Sequence, residues 1–169
     1  MHHYFQALNY FQIENFRKAL TSFGEAFKLS KKSRSLPSFQ NLIQVQIILT
    51  EIKNNKSDIN LEMIPDFIKS NQLSVYETSL YRSYSKILLS LEKDNFSAIK
   101  KWIFKAIEND KNNRNIWNLA MDHMILAEVF LEKGKPSKAL ENFKISKSFF
   151  KESGANGWCD HIKVKIASL

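Results

Sequence analysis

The residues able to bind a metal or move a proton are few and scattered. His2, His3, His123 and His161 are the only histidines, and Cys159 is the single cysteine. His2 and His3 sit side by side at the extreme N-terminus, as remnants of an added tag would. Cys159-Asp160-His161 crowds three ligand types together. Adjacent residues on a helix point in different directions, however, and a zinc site takes about four ligands. The expectation is therefore no metal site, with Cys159 packed against Trp158. Glu51, Glu128 and Glu132 are too dispersed to form a general acid–base pair. The chain has no phosphate-cradling glycine loop, no Gly-x-Ser-x-Gly and no His-Glu-x-x-His. No catalytic residue and no cofactor are assigned, and the chain is expected not to be an enzyme.

Composition points to a core built by helices. Hydrophobic residues make up 44% of the 169, enough for a sizeable core, while only four glycines and three prolines interrupt them. Scarce breakers suit long helices joined by short turns. Thirteen phenylalanines imply aromatic knobs between those helices. One cysteine excludes an internal disulfide. Met1 leads into His2, His3 and Tyr4, with no basic segment and apolar run of a signal peptide. No stretch approaches the roughly 18 apolar residues of a membrane span, so the expected setting is the cytoplasm, without a membrane partner. The net charge of +8 is spread along the chain, with mild peaks at Lys31-Lys32-Ser33-Arg34 and in residues 134–169. A nucleic-acid surface needs a concentrated stripe flanked by stacking aromatics, so this charge reads as a solvated lysine-rich face.

Helical periodicity dominates. Over residues 114–133, Ile116, Leu119, Ala120, Ile125, Leu126, Val129 and Phe130 recur at steps of three and four. Ser74 and Glu77 have capping-box spacing, which starts a helix near Val75. Asn95 can cap the apolar run after it. Gly134-Lys135-Pro136 stops one helix and starts the next, and Gly154 suits the left-handed residue beyond a helix end. These signals predict nine helices near 2–14, 16–31, 36–54, 59–71, 75–93, 95–109, 114–133, 136–152 and 157–168. Pro65 falls inside the fourth and either delays its start or kinks it. Met1 enters the first helix with no preceding cap, which suggests a piece of a longer chain.

Comparing the chain with itself shows a step of 40 residues. It aligns Ala19 with Ile59, Ile99 and Ala139; Phe23 with Met63, Ile103 and Phe143; and Ala7 with Ile47, Ile87 and Ala127. Small residues let two helices approach, and large ones fill the space beyond. A hairpin of this size cannot bury both faces alone, so copies must stack.

Residues 7–29 resemble a tetratricopeptide repeat through Ala7, Tyr10, Phe16, Ala19, Phe23 and Ala26. Residues 126–146 resemble it again through Leu126, Ala127, Phe130, Gly134, Ala139 and Phe143, with Ser146 in place of the usual last alanine. Residues 87–106 match more loosely through Ile87, Phe96, Ile99 and Ala106, and the second copy is degenerate, with Lys56, Ile59 and Asp66 at its aromatic and small positions. The resemblance implies an all-α, antiparallel helical-hairpin solenoid forming one domain over residues 1–169. Its four repeats would span 1–35, 36–73, 74–112 and 113–152, with a capping helix at 157–168. The period is longer than the common 34-residue form. In that respect, and in its Phe149–Trp158 ending, the chain is similar to the helical arrays of larger bacterial signalling proteins.

In such arrays the first helix of each repeat lines a concave face. The 40-residue step places Tyr4, Gln44, Tyr84 and Met124 in one row, Leu8, Ile48, Leu88 and Glu128 in a second, and Met1, Asn41, Tyr81 and Met121 in a third. Rigid tyrosines with adaptable methionines suit an amphipathic helix or an extended peptide. The resemblance therefore implies a scaffold that binds a protein or peptide through Tyr4, Leu8, Tyr81, Tyr84, Leu88, Met121, Met124 and Glu128. Within that set, Tyr81, Tyr84, Met121 and Met124 are expected to form a partly exposed apolar patch. Two alternatives stay open: a nucleic-acid-associated protein using the lysine-rich face, and a self-assembling array whose ends stack into homo-oligomers.

Overall fold

The computed structural model describes residues 2–33, 36–56 and 58–169. Among these, nine α-helices and no strand are present. They are α1 (His2–Gln12), α2 (Phe16–Lys32), α3 (Pro37–Lys53), α4 (Met63–Lys69), α5 (Ser74–Leu91), α6 (Phe96–Asn112), α7 (Ile116–Glu132), α8 (Pro136–Glu152) and α9 (Asn156–Ala167). Among the described residues, no helix is long and apolar enough to cross a membrane. The chain divides into two compact units, residues 1–90 and 91–169. The third expected repeat, 74–112, thus gives α5 to the first unit and α6 to the second.

The boundaries follow from local chemistry. Asn15, Asn95 and Asn115 each accept a hydrogen bond on the side-chain oxygen from a backbone amide three residues on, capping α2, α6 and α7. Pro37 and Pro136 open α3 and α8, where the missing amide hydrogen has no partner to lose. Helices α1, α3, α6, α7 and α8 all stop the same way. A residue in the left-handed region ends each: Glu14 (φ 57°), Asn55 (67°), Arg114 (52°), Gly134 (62°) and Gly154 (76°). The amide of the next residue then donates back across the last turn: Asn15 to Tyr10, Lys56 to Glu51, Asn115 to Asp110, Lys135 to Phe130 and Ala155 to Phe150. Helix α4 is shorter than the predicted 59–71. It starts at Met63, with Pro65 in its first turn, because proline fits only where the helix has no amide bond to make.

In the first unit, α2 packs on α1 and on α3, and α4 touches α3. Its core gathers Tyr4, Ala7, Ala19, Phe23, Leu42, Ile43, Leu49, Ile64, Leu80 and Ile87. In the second unit, α7 packs against α6 and most extensively against α8, and α9 covers α8. The 40-residue register is followed in three copies. Ala7, Ala19, Phe23, Ile87, Ile99, Ile103, Ala127, Ala139 and Phe143 all have no exposed surface. The second copy departs from it, with Ile47 and Ile59 half-buried and Met63 exposed.

Two successive hairpin turns of the second unit are tied side by side. Lys93 pairs with Glu132 at 2.9 Å, and Lys133 reaches Asp94 at 3.9 Å. Lys93, Glu132 and Asp94 are exposed and Lys133 is half-buried, so these pairs fix position more than they stabilise.

Candidate functional site

The first unit carries five of the predicted binding residues on α1 and α5. Leu8, Tyr81 and Tyr84 are half-buried. Burial, then the carboxylate of Glu77 one turn earlier, raises the phenol of Tyr81 above its ordinary value. Tyr4 and Leu88 are buried core residues instead. The ring of Tyr4 lies edge-on to Phe23 at 5.8 Å and to Phe39 at 5.4 Å, and burial pushes its phenol far above the ordinary range. Tyr4 therefore joins α1 to α2 and α3 rather than offering a surface. Of the other row members, Gln44 is half-buried and Ile48 buried, while Asn41 donates to the Ser70 hydroxyl at 3.2 Å. The Gln46 amide donates to the Ser83 hydroxyl at 2.8 Å, so a buried polar bond joins α3 to α5.

The second unit corrects the exposed-patch expectation. Met121 and Met124 retain only 7% and 6% of their exposure. The cause is the composition of α7, which is apolar around nearly its whole circumference and buries ten residues. A helix with so few polar positions is covered over most of its circumference. Tyr81 and Tyr84 of the predicted patch keep accessible surface, and Met121 and Met124 do not. Glu128 is half-buried and held by Lys165 of α9 at 2.8 Å. Met1, the first member of the third row, lies outside the described residues.

The ligand-type residues diverge. Cys159 is buried, its Sγ 3.6 Å from the Lys147 carbonyl oxygen, whereas His161 is exposed against the edge of Trp158. Among the described residues, no three His, Cys, Asp or Glu side chains converge on one point. His123 has a defined partner. Its Nδ1 lies 2.9 Å from Oδ1 of Asn142, whose amide nitrogen donates to the Lys138 carbonyl at 2.9 Å. With Asn142 so oriented, its oxygen accepts, and Nδ1 of His123 carries the hydrogen. Burial lowers the pKa of this imidazole, and the bond to Asn142 offsets part of the effect.

The basic peak at residues 31–34 is only partly described. The Lys31 ammonium lies 4.6 Å from the centre of the Phe27 ring, and Arg34 falls outside the described residues. Lys32 lines an open groove of about 470 Å³ with His3, Ala26, Leu29, Ser30, Ser33 and Phe39.

A second basic surface was missed by reading charge along the sequence. On α6, Lys101, Phe104 and Lys105 are exposed, with Lys100 and Trp102 half-buried beside them. The Lys100 ammonium lies 5.2 Å from the centre of Phe104, and those of Lys101 and Lys105 lie 5.5 and 4.9 Å from Trp102. The signal was Lys100 and Lys101 followed at steps of three and four by Phe104 and Lys105, a spacing that brings them together on one side of a helix.

Comparison of the chain with models of protein families, with curated proteins and with solved structures gives no match.

Proposed function

We propose that the chain is a scaffold of stacked helical hairpins, similar to tetratricopeptide repeats, that binds a protein or peptide along its odd-numbered helices. One observation carries the reading: the same backbone turn and the same buried positions recur 40 residues apart. Gly154 repeats Arg114, Gly134 repeats Glu14 after three steps, and Phe143 repeats Ile103 and Phe23. Repetition of this kind builds an extended surface rather than an enclosed pocket, and extended surfaces serve recognition. With Tyr4 and Leu88 in the core, the contact residues of the first unit narrow to Leu8, Tyr81 and Tyr84. Half-buried tyrosines keep part of a large, rigid ring accessible to a ligand. Like the arrays it resembles, such a module would serve a larger bacterial signalling protein by presenting a partner to it.

Selection of peptides from a displayed random library tests this reading. Peptides selected on the wild-type chain should bind Tyr81→Ala/Tyr84→Ala at least about tenfold more weakly, since an aromatic anchor contributes about 2 kcal/mol. Helicity by circular dichroism should be unchanged. Selected peptides that bind the double variant as tightly as the wild type overturn the assignment.

A further inference from the structure

We propose that the outer face of α6 binds single-stranded nucleic acid, with Phe104 and Trp102 as stacking platforms and Lys100, Lys101 and Lys105 as phosphate contacts. The inference stands on α6 alone and does not depend on the peptide-binding reading. The buried side of α6 is formed by Ile99, Ile103 and Ala106, which leaves Lys101, Phe104 and Lys105 facing solvent. Phe104 keeps 43% of its exposure, so its ring is accessible from solvent. Glu108 is the acidic residue on this exposed side. Lys100 with Phe104, and Lys101 with Lys105, stand four residues apart, about 6 Å along the axis. Lys101 is also three residues from Phe104, so Phe104 stands among the three lysines, and Trp102, further around the helix, is flanked by Lys101 and Lys105.

The position of the ammonium groups shows how a strand would fit. An ammonium about 5 Å from a ring centre occupies the face of that ring, where the π-electron density attracts it. A base can take the same face. The lysine then swings on its flexible stem to the adjoining phosphate, so stacking and ion pairing form together. Every base has a π-face, so such a surface binds strands with little sequence preference. The rings also decide against the other polyanions. An acidic peptide has no flat group to place on Phe104. A membrane surface needs a broad apolar face to bury, and the apolar stripe of α6 is already inside the protein. Double-stranded nucleic acid keeps its bases stacked on one another and out of reach of the rings. The chain as a whole, at +8, adds favourable long-range attraction.

Fluorescence anisotropy of labelled oligo(U) and oligo(dT) tests the proposal, with poly-glutamate and phosphatidylserine vesicles as parallel ligands. The wild-type chain should bind both oligonucleotides saturably at low salt. Phe104→Ala should weaken binding about tenfold while leaving the slope of log affinity against log salt unchanged. Phe104→Tyr, which keeps the ring, should restore it. Lys101→Glu with Lys105→Glu should reduce the magnitude of that slope by about 1.4, the contribution of two phosphate contacts. The three side chains replaced are all at the surface, and circular dichroism should show an intact fold in each variant. Absence of binding at low salt overturns the proposal, as does binding indifferent to Phe104. An equal Phe104-dependent affinity for poly-glutamate or for vesicles also overturns it, assigning the face to acidic peptides or membranes instead.

Discussion

Arg114 and Gly154, forty residues apart, occupy the same left-handed backbone position at the ends of α6 and α8, with φ of 52° and 76°. The residue after each donates its amide to the carbonyl five residues back, Asn115 to Asp110 at 2.9 Å and Ala155 to Phe150 at 2.8 Å. The turn is thus set by hydrogen-bond geometry, and the side chain at the left-handed position only raises or lowers its energy. A residue with a Cβ costs about 1 kcal/mol there relative to glycine.

Arg114→Gly should therefore stabilise the chain by about 1 kcal/mol, and Glu14→Gly by a similar amount. Gly154→Ala should destabilise it by about the same. A Cβ at Gly154 would meet no atom within 4 Å, so the cost is backbone strain alone. Urea unfolding at constant m-value measures all three. A less stable Arg114→Gly would mean that the arginine side chain outweighs the strain at its backbone.

The 40-residue register predicts unequal costs at equivalent positions. Phe143 and Met63 align in sequence, yet Phe143 is fully buried and Met63 is 42% exposed. Phe143→Ala should cost about 3–5 kcal/mol, and Met63→Ala less than about 1 kcal/mol. Ala19→Trp and Ala139→Trp place a large ring at fully buried helix crossings and should each cost about 1–3 kcal/mol or more. Thermal melting of the four variants is the check. Similar costs at Phe143 and Met63 would mean that the second copy packs like the others.

What the sequence made legible and what it hid divide along physical lines. Helix boundaries are written locally, in Asn95, in Gly134-Lys135-Pro136 and in Gly154, and the helices begin and end near those signals. The turns at Glu14 and Arg114 were hidden, because their left-handed backbone is imposed by the hydrogen bonds around them and not by a permissive residue. Burial was read less well than equivalence. The repeat step places Tyr84 and Met124 at matching points, but how deeply each is covered depends on what surrounds its helix. The sequence of α7 did carry that signal. Between Ile116 and Glu132 its polar positions are only Asn118, Asp122, His123, Glu128 and Glu132, too few for a helix with a solvent face. Lysines counted along the chain likewise concealed the patch on α6, because net charge per segment ignores which side of the helix each cation takes.

His123 makes stability depend on pH. Burial lowers its folded pKa below the ordinary 6.5, against the opposing effect of Asn142. As pH falls through 6.5, the unfolded chain takes up a proton here and the folded chain does not. Stability contributed above 6.5 is thus lost on acidification, until the folded imidazole protonates as well. His123→Gln removes the titration, so its urea midpoint should fall less than that of the wild type between about pH 7 and about pH 5. Parallel pH profiles for the two chains would show that His123 is not shifted.

The last helix makes the clearest test of how the second unit closes. Trp158 stacks on Phe150 at 5.2 Å and 18°, and Trp117 meets both rings edge-on. Ile162, one turn further along α9, has no exposed surface, and Lys165 reaches Glu128 on α7. Ile166 is half-buried, but Leu169, predicted to extend the same stripe, is 47% exposed. Burial thus ends before the terminus, and the apolar contribution comes from Trp158, Cys159 and Ile162. Trp158→Ala should cost about 2 kcal/mol, the scale of burying one large side chain. Removing residues 156–169 should go further, because it uncovers Phe150, now fully buried, together with the face of α8 around it. An exposed apolar face of that kind promotes self-association. Light scattering of the shortened chain should rise with concentration, while Val164→Ser, at a position 71% exposed, should leave the chain unchanged. A shortened chain that stays monomeric and melts with the wild type would show that α9 does not close the unit.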